Sequence, residues 1–252
     1  MCYFYILTFI YKIGFVMRYI NYYYYYYYYF LFFFIIITQT ICFAHNTDGS
    51  SILDHSITIT TKEMQVSVHY PEIHSSKIDQ DIKGWAQQLV ENFKTTNSEK
   101  ELAIGPYELR ADYSITKPSD KAISIIYTIT DFTGGAHGNL EISVFNYDLT
   151  TEQPLDLIDI FDDVNSALKI MSEYSYKSLS ETLGNMSDKE ILSVGTAPDL
   201  DNYNSIALIP NGIRIFFQPY QVAPWSAGPQ QVDMTLEELS KANPTKKIWN
   251  LS

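Results

Sequence analysis

A break in composition after Ala44 most constrains what this chain can fold into. Twelve of the 21 tyrosines and eight of the 14 phenylalanines stand before His45, as do both cysteines, Cys2 and Cys42. The 208 residues that follow contain no cysteine. Their fold therefore cannot rely on disulfides and must be stabilised by a packed apolar core. A chain of that length can bury such a core as one large domain or as two small ones.

The first 44 residues have the order of a secretory signal peptide. Lys12 and Arg18 are their only charges, an apolar run extends from Phe30 to Ile37, and Cys42-Phe43-Ala44 supplies a small-x-small ending. The apolar run is much shorter than the roughly 20 residues of a membrane-spanning helix. We therefore predict a cleaved signal peptide over residues 1–44, with an uncleaved anchor as the alternative.

Met17 offers a second possible translation start. A signal peptide that began there would be a compact segment of 28 residues ending at Ala44. Both starts predict an exported chain, either periplasmic or secreted. The alternative is an exported chain that stays anchored to the membrane by its uncleaved leader.

The predicted mature chain is strongly acidic. It has 15 Lys and Arg against 29 Asp and Glu, because Lys12 and Arg18 lie in the leader, and its formal charge is −14. Such a surface disfavours nucleic acid and anionic membranes, and it attracts cationic partners at long range. High solubility is the simpler explanation of the same composition. The sequence does not indicate an oligomeric state.

Hydrophobic patterns predict strands and two amphipathic helices. Alternation predicts a first hairpin that ends at Pro71, and apolar residues at helical spacing predict helices over about 78–93 and 164–183. Asn211-Gly212 between two apolar runs predicts a tight hairpin, because both residues accept positive φ. The predicted strands span residues 56–60, 64–70, 107–116, 123–130, 140–147, 205–209, 213–217 and 230–234.

This order of elements predicts an α+β fold. Most strands are connected by hairpins, and only two substantial helices interrupt them, which argues against a doubly wound α/β sheet. We expect antiparallel sheets, each packed by an amphipathic helix, in two closely associated αβ units. The expected boundaries of these units are 45–150 and 151–252.

The common signatures of catalysis and cofactor binding are missing from the sequence. It contains no G-x-S-x-G elbow, no H-E-x-x-H helix, no Walker loop and no dinucleotide fingerprint. His69 and His74 could approach a metal ion, but no third ligand follows at a suitable spacing. We therefore predict no metal site, no cofactor and no catalytic residue.

His137 lies in a glycine-rich connection that is the first candidate site. Gly134, Gly135 and Gly138 permit unusual backbone angles there, and Asp131 precedes the histidine by six residues. One interpretation is a ligand contact or a proton-transfer site in which Asp131 orients the imidazole. The other is a tight turn whose histidine caps backbone groups.

A proline-rich stretch from Phe216 to Pro229 is the second candidate site. Its prolines make the loop stiff, and the loop carries Tyr220 and Trp225. Rigid aromatic side chains on a preorganised loop are good contact residues, because ordering them costs little entropy. The alternative is that both aromatic side chains turn inward and fix the loop to the sheet.

Both stretches carry a family resemblance. Asp131-Phe132-Thr133-Gly134-Gly135-Ala136-His137-Gly138-Asn139, followed by Phe145-Asn146-Tyr147-Asp148, resembles the N-terminal domain that accompanies the deacetylase unit of the PdaC family. The stretch from Phe217 to Pro229 resembles the C-terminal domain of the RsiV family, with Trp225 where that family usually has tyrosine. The resemblance implies an α+β fold with a PdaC-like unit over 45–150 and an RsiV-like unit over 151–252. The candidate binding residues are Gly134, Gly135, His137, Gly138, Asn139, Pro219, Tyr220, Pro224 and Trp225.

The resemblance also bears on function. RsiV proteins are anti-sigma factors whose exported part senses lysozyme, but that role needs a cytoplasmic sigma-binding segment, and deacetylation needs a separate catalytic domain. We therefore predict an exported, non-catalytic cell-envelope module that binds a lysozyme-like cationic protein or a cell-wall glycan such as a peptidoglycan fragment. The alternatives are an envelope hydrolase that uses His137 with a carboxylate such as Asp131, and a structural envelope protein.

Overall fold

The computed structural model describes residues 52–97 and 106–251, so the predicted signal peptide lies outside the described residues. The strands are β1 Leu53–Thr60, β2 Met64–Glu72, β3 Tyr107–Thr116, β4 Ala122–Phe132, β5 Asn139–Asp148, β6 Gln153–Pro154, β7 Ile206–Ile209, β8 Gly212–Phe217 and β9 Gln230–Thr235. The α-helices are α1 Ser76–Asn97, α2 Leu157–Ile160, α3 Val164–Leu183 and α4 Lys189–Gly195. Among the residues described, no helix has the length and apolar character needed to cross a membrane.

The strands form two sheets, and the fold is α+β as predicted. Strands β1 to β6 make one sheet in chain order, and β7 to β9 make a second, antiparallel sheet. One pairing differs from the antiparallel expectation, because β2 and β3 are parallel, with Val66 opposite Leu109. The cause is α1, which carries the chain across the sheet between these two strands, as a parallel connection requires.

Helix α1 covers one face of the first sheet, as its periodicity predicted. Its buried residues recur every three or four positions, and Asp79 fixes its start by accepting hydrogen bonds from the N–H groups of Ile73 and Ser75. The buried residues of this helix are Ile78, Ile82, Ala86, Val90, Phe93 and Asn97.

Pro71 does not end β2, contrary to the sequence-based expectation. The strand continues to Glu72, and Pro71 lies opposite Asp54 of β1. Strand β2 pairs with β3 only from Met64 to Val68. A proline is tolerated beyond that point, because β2 has a partner on one side only and the missing N–H can face the open side.

Helix α3 covers the second sheet. Asp163 caps it by accepting a hydrogen bond from the N–H of Ser166, and Gly184 follows its last residue. Leu168, Met171 and Leu179 of α3 belong to one buried cluster with Ile213 and Ile215 of β8. The short helices α2 and α4, which hydrophobic periodicity did not reveal, belong to the same half of the chain.

The predicted hairpin between β7 and β8 is confirmed, but its turn is displaced by one residue. Ile209 pairs with Gly212, so the two turn residues are Pro210 and Asn211. Gly212 is the first residue of β8 and has a φ of 156°. A Cβ atom at this position would lie 1.9 Å from the carbonyl oxygen of Met234. The glycine is required by the close approach of β9 and not by the turn.

Polar side chains join the two sheets, which belong to one compact unit over residues 50–252. The N–H of Leu208 donates to Ser124 Oγ at 2.8 Å, and Asn146 Nδ2 donates to the carbonyl oxygen of Ile206 at 2.8 Å. Ile126, Ile142 and Ala207 are buried together in the same region. Strand β7 therefore packs on the face of β4 and β5 that α1 leaves uncovered.

Gln218 extends this junction to the edge of β5. Its Oε1 accepts a hydrogen bond from the N–H of Ile142 at 2.9 Å, and its Nε2 donates to the carbonyl oxygen of Ile142 at 2.7 Å. The side-chain amide thus occupies the place of a neighbouring strand. Covering an open strand edge in this way protects it from pairing with other chains.

We expect Gln218→Ala to lower the free energy of unfolding by about 1–3 kcal/mol, the cost of leaving the part-buried N–H of Ile142 without its partner. Urea denaturation followed by circular dichroism measures this loss. Gln231→Ala is the matched control, because Gln231 is exposed on β9. Equal stability of the two variants would show that Gln218 does not hold the loop to β5.

Asp148 at the end of β5 predicts an acid-sensitive contact. Burial raises the pKa of its carboxyl, but hydrogen bonds from Thr150, Thr151 and Lys247 outweigh burial and leave that pKa below its ordinary value. A carboxyl with a lowered pKa in the folded state contributes stability that is lost as the pH falls through that pKa. We expect the free energy of unfolding to decrease between about pH 5 and pH 2. The decrease should be smaller in Asp148→Asn than in the exposed control Asp112→Asn, and identical profiles would contradict this account.

Candidate binding site

The connection between β4 and β5 adopts the backbone angles that its glycines permit. Gly134 and Gly135 have φ values of 89° and 120°, a region that side chains rarely allow. A Cβ atom on Gly138 would lie 2.9 Å from the carbonyl oxygen of Asp131. The chain therefore turns tightly here, and His137 is exposed at the turn.

His137 does not contact Asp131 in the way the proton-transfer interpretation requires. Its Nδ1 lies 2.8 Å from the carbonyl oxygen of Gly138, which fits an N–H donor on this ring nitrogen. Asp131 Oδ2 instead accepts a hydrogen bond from Asn139 Nδ2 at 3.0 Å. The expectation that Asp131 orients the imidazole is wrong, because the backbone of the same turn and Asn139 satisfy these two side chains.

Glutamine side chains hold the proline-rich loop in place. Gln221 Oε1 accepts from the N–H of Gln218 at 2.9 Å, and Gln221 Nε2 donates to the carbonyl oxygens of Gly195 at 3.0 Å and Asn202 at 3.1 Å. Gln230 Nε2 donates to the carbonyl oxygen of Ala227 at 2.7 Å. With Gln218 bound to β5, the loop is fixed at both ends and in its middle.

The loop exposes one of its two aromatic side chains and half-buries the other. Tyr220 is 60% exposed, and its φ of 69° lies in the left-handed region that non-glycine residues seldom adopt. Backbone strain of this kind tends to occur at functional sites. Trp225 is half-buried; it follows the exposed Pro224 and is the first residue of a 3-10 turn, Trp225–Ala227. Pro219 is half-buried beside Tyr220.

The two candidate stretches meet at Trp225. Its ring stacks on that of His137, with centroids 4.5 Å apart and an interplanar angle of 19°. The ring of Tyr220 lies 5.7 Å from Trp225 at 31°. We call the surface formed by His137, Trp225 and Tyr220 the aromatic ledge. The remaining predicted residues shape the two backbones that support it.

A polar groove, not predicted from the sequence, begins at the turn that carries His137. It is a cavity of about 400 Å³ that is lined at one end by Phe132 and Gly138, the residue after His137. From there it crosses the face of β1 to β4 opposite α1. Its polar lining residues are Thr58, Thr60, Gln65, Ser67, Glu108, Arg110, Thr130 and Asp131. Apart from Asp131, which lies opposite Leu109 on the side of α1, only their outward positions in alternating strands could have indicated them.

The histidines of the first hairpin lie apart from the ledge. His69 Nδ1 is 3.1 Å from Asp54 Oδ2, and His74 Nδ1 is 3.9 Å from Glu72 Oε1. In the part of the chain that the structure describes, no three His, Cys, Asp or Glu side chains group in a way that could hold a metal ion.

The fold is similar to that of solved DUF3298 family proteins. A DUF3298 family protein from Pseudomonas aeruginosa has a TM-score of 0.59 at 14% identity, covering 79% of this chain and 94% of that one. A DUF3298 family member from Bacteroides fragilis has a TM-score of 0.55 at 17% identity, covering 80% and 98%. At these identities the likeness establishes the fold alone.

The sequence matches two family models. Residues 57–140 match Deacetylase PdaC, and residues 158–237 match the protein of unknown function DUF3298. The chain is 30% identical over 173 residues to the peptidoglycan-N-acetylmuramic acid deacetylase PdaC of Bacillus subtilis, covering 68% of this chain and 37% of that protein. It is 24% identical over 159 residues to the immunogenic protein MPT64 of Mycobacterium tuberculosis, covering 58% and 68%.

These comparisons confirm the resemblance to a PdaC-associated domain of unknown function. The chain spans little more than a third of the length of the Bacillus subtilis deacetylase. The matched region in its C-terminal half is DUF3298, and the RsiV-like interpretation of that half stays a prediction. The boundary at residue 150 also stays a prediction.

Proposed function

We propose that this chain is an exported, non-catalytic module of the cell envelope that binds a cell-wall glycan, such as a peptidoglycan fragment, on the aromatic ledge. The observation that carries the proposal is the contact of His137 with Trp225 and Tyr220, two aromatic side chains on a loop fixed by three glutamine side chains.

The ledge suits the faces of sugar rings. A pyranose ring presents a patch of C–H groups, and these pack favourably on the electron-rich face of an aromatic ring. The side chains of Trp225 and Tyr220 are rigid and sit on a preorganised loop, so binding costs little conformational entropy. Exposed aromatic side chains of this type contribute strongly to recognition.

The polar groove supplies partners for the hydroxyl and amide groups of the same glycan. Thr58 lies opposite Ser67, Ser67 lies opposite Arg110, and Arg110 lies opposite Thr130, so these four side chains form one row across β1 to β4. Neighbouring strands are about 4.8 Å apart, and the row therefore offers a polar group at each such step. A chain of sugars that leaves the ledge can continue along this row.

The relatives support a cell-wall ligand. The name of the Bacillus subtilis deacetylase places its activity on peptidoglycan, and residues 57–140 of this chain match the family model of that name. A peptidoglycan ligand also agrees with the export that the leader predicts.

A contact role for His137 is favoured over acid–base chemistry. Its Nδ1 is held by the carbonyl oxygen of Gly138, and its ring is covered on one face by Trp225. General acid–base catalysis in the predicted form would require Asp131 or a similar carboxylate to orient the ring. If these aromatic side chains only fixed the loop to the sheet, the exposure of Tyr220 and His137 would have no explanation.

Co-sedimentation with purified peptidoglycan sacculi tests the proposal. We expect the purified protein to pellet with sacculi, and the Tyr220→Ala/Trp225→Ala variant to stay in the supernatant. We also expect no release of reducing ends or acetate from the sacculi. Failure of the unaltered protein to pellet would remove the glycan proposal, and product release that is lost in His137→Ala would establish the hydrolase instead.

A cationic protein, such as a lysozyme-like protein, is the second candidate partner. The observation that favours it is the formal charge of −14 on the predicted mature chain. Electrostatic attraction between this acidic chain and a cationic protein raises their association rate, and the attraction weakens as the salt concentration rises. Titration with lysozyme at low and moderate salt tests it, and absence of binding at both would remove this partner while leaving the glycan.

A further inference from the structure

An apolar groove lies beside β5, on elements separate from the aromatic ledge. It is a cavity of about 640 Å³ between the end of β5, helix α2 and the 3-10 turn Leu200–Tyr203. Its floor is formed by buried Leu155, Ile160, Tyr203 and Ile206. We call this cavity the apolar groove.

Two large aliphatic side chains stand exposed at the groove. Ile158 of α2 is 76% exposed and Leu200 is 55% exposed, and both line the cavity. The neighbours of Ile158 show that helix α2 has an inward side, because Leu157 packs against the core and Ile160 is buried. A contiguous apolar patch with a polar rim is typical of a surface that contacts another protein.

Carboxylates flank these apolar side chains. Asp156 and Asp201 line the groove, and Asp159 and Asp199 lie on the same two segments. None of the four lies within 4.0 Å of a Lys, Arg or His nitrogen in the described part of the chain. Asp159 and Asp199 accept hydrogen bonds from nearby backbone N–H groups, which orient their carboxylates without neutralising them.

We infer that the apolar groove docks a protein segment that presents aliphatic side chains flanked by Lys or Arg. The aliphatic side chains would pack on Ile158, Leu200 and the buried floor, and the cationic groups would meet Asp156 and Asp201. The lining contains no Lys, Arg or His, so nothing in the groove repels such a segment. Its carboxylates disfavour an anionic lipid surface, and its apolar floor offers few partners for sugar hydroxyl groups.

Selection from a phage-displayed library of random peptides tests this inference. We expect the purified protein to enrich peptides in which Leu, Ile or Val stands between Lys or Arg residues. Synthetic copies of the enriched peptides should bind Ile158→Ser/Leu200→Ser about 30-fold more weakly, as expected for losing contacts worth about 2 kcal/mol. Asp156→Asn/Asp201→Asn should weaken the binding and reduce its dependence on salt.

Val194→Ser is the matched control, because Val194 is an aliphatic side chain that is 67% exposed and does not line the groove. It should bind the enriched peptides as the unaltered protein does. Absence of enrichment, enrichment of acidic peptides, or equal binding by Ile158→Ser/Leu200→Ser would overturn the inference. Self-association in sedimentation that disappears in Ile158→Ser/Leu200→Ser would overturn it in favour of a second copy of this chain. Sacculus binding is measured separately and does not depend on any of these outcomes.

Discussion

Trp225→Ala is expected to lower the affinity for soluble peptidoglycan fragments by about 30-fold, the effect of losing a contact worth about 2 kcal/mol. The indole stands in the middle of the ledge, stacked on His137 and beside Tyr220. Its removal takes away the ring that links His137 to Tyr220, and with it the support for both neighbouring rings. Isothermal titration of the unaltered and variant proteins measures the change.

Trp225→Phe is the informative companion, because it retains an aromatic face at the same position. We expect it to keep most of the affinity that Trp225→Ala loses. Both variants should unfold at similar urea concentrations, since Trp225 is only half-buried. Unchanged affinity in Trp225→Ala would mean that the ledge does not bind the glycan.

Gly195→Ala is expected to destabilise the protein by about 3 kcal/mol, the upper end of what overpacking costs. Gly195 ends α4 against the proline-rich loop, and a Cβ atom there would lie 1.8 Å from the carbonyl oxygen of Gln221. The loop backbone would have to move, and Gln221 would lose its hydrogen bond to the carbonyl oxygen of Gly195. Glycan affinity should therefore fall together with stability.

Gly84→Ala is the matched control for this substitution. Gly84 is exposed within α1, and a Cβ atom there would meet nothing within 4 Å. Alanine should stabilise the helix by about 0.5–1 kcal/mol, because glycine is the poorer helix former. If urea denaturation showed no loss for Gly195→Ala, the contact between α4 and the loop would be looser than the structure indicates.

The features of the fold that follow from local patterns were predictable. Helix α1 places its buried residues at the expected spacing, and the hairpin between β7 and β8 forms where the apolar runs indicated. The parallel pairing of β2 with β3 was not predictable, because alternation reveals a half-buried strand but not its partner or direction. The turn of the hairpin is displaced for a similar reason, since Gly212 is required by the distant Met234.

For the candidate site too, local features were predictable and long-range contacts were not. The sequence indicated the glycine turn around His137 and the rigid loop around Trp225, because both have unusual local composition. It did not establish that the two rings stack, since that contact depends on how β5 and the loop after β8 are joined by Gln218. The row of Thr58, Ser67, Arg110 and Thr130 was hidden for the same reason, because it exists only in the register of four strands.

The most direct test of the account is the response of the three tryptophan indole N–H signals to a peptidoglycan tetrasaccharide in nitrogen-15 NMR spectra. Trp249 donates its indole N–H to the carbonyl oxygen of Ile209, and Trp85 of α1 packs against Tyr127 of β4, so neither indole belongs to the ledge. We predict that the Trp225 signal shifts in proportion to bound ligand while the signals of Trp85 and Trp249 stay in place. Shifts of the other two indoles without Trp225, or a spectrum that does not respond to saturating glycan, would contradict a glycan-binding ledge.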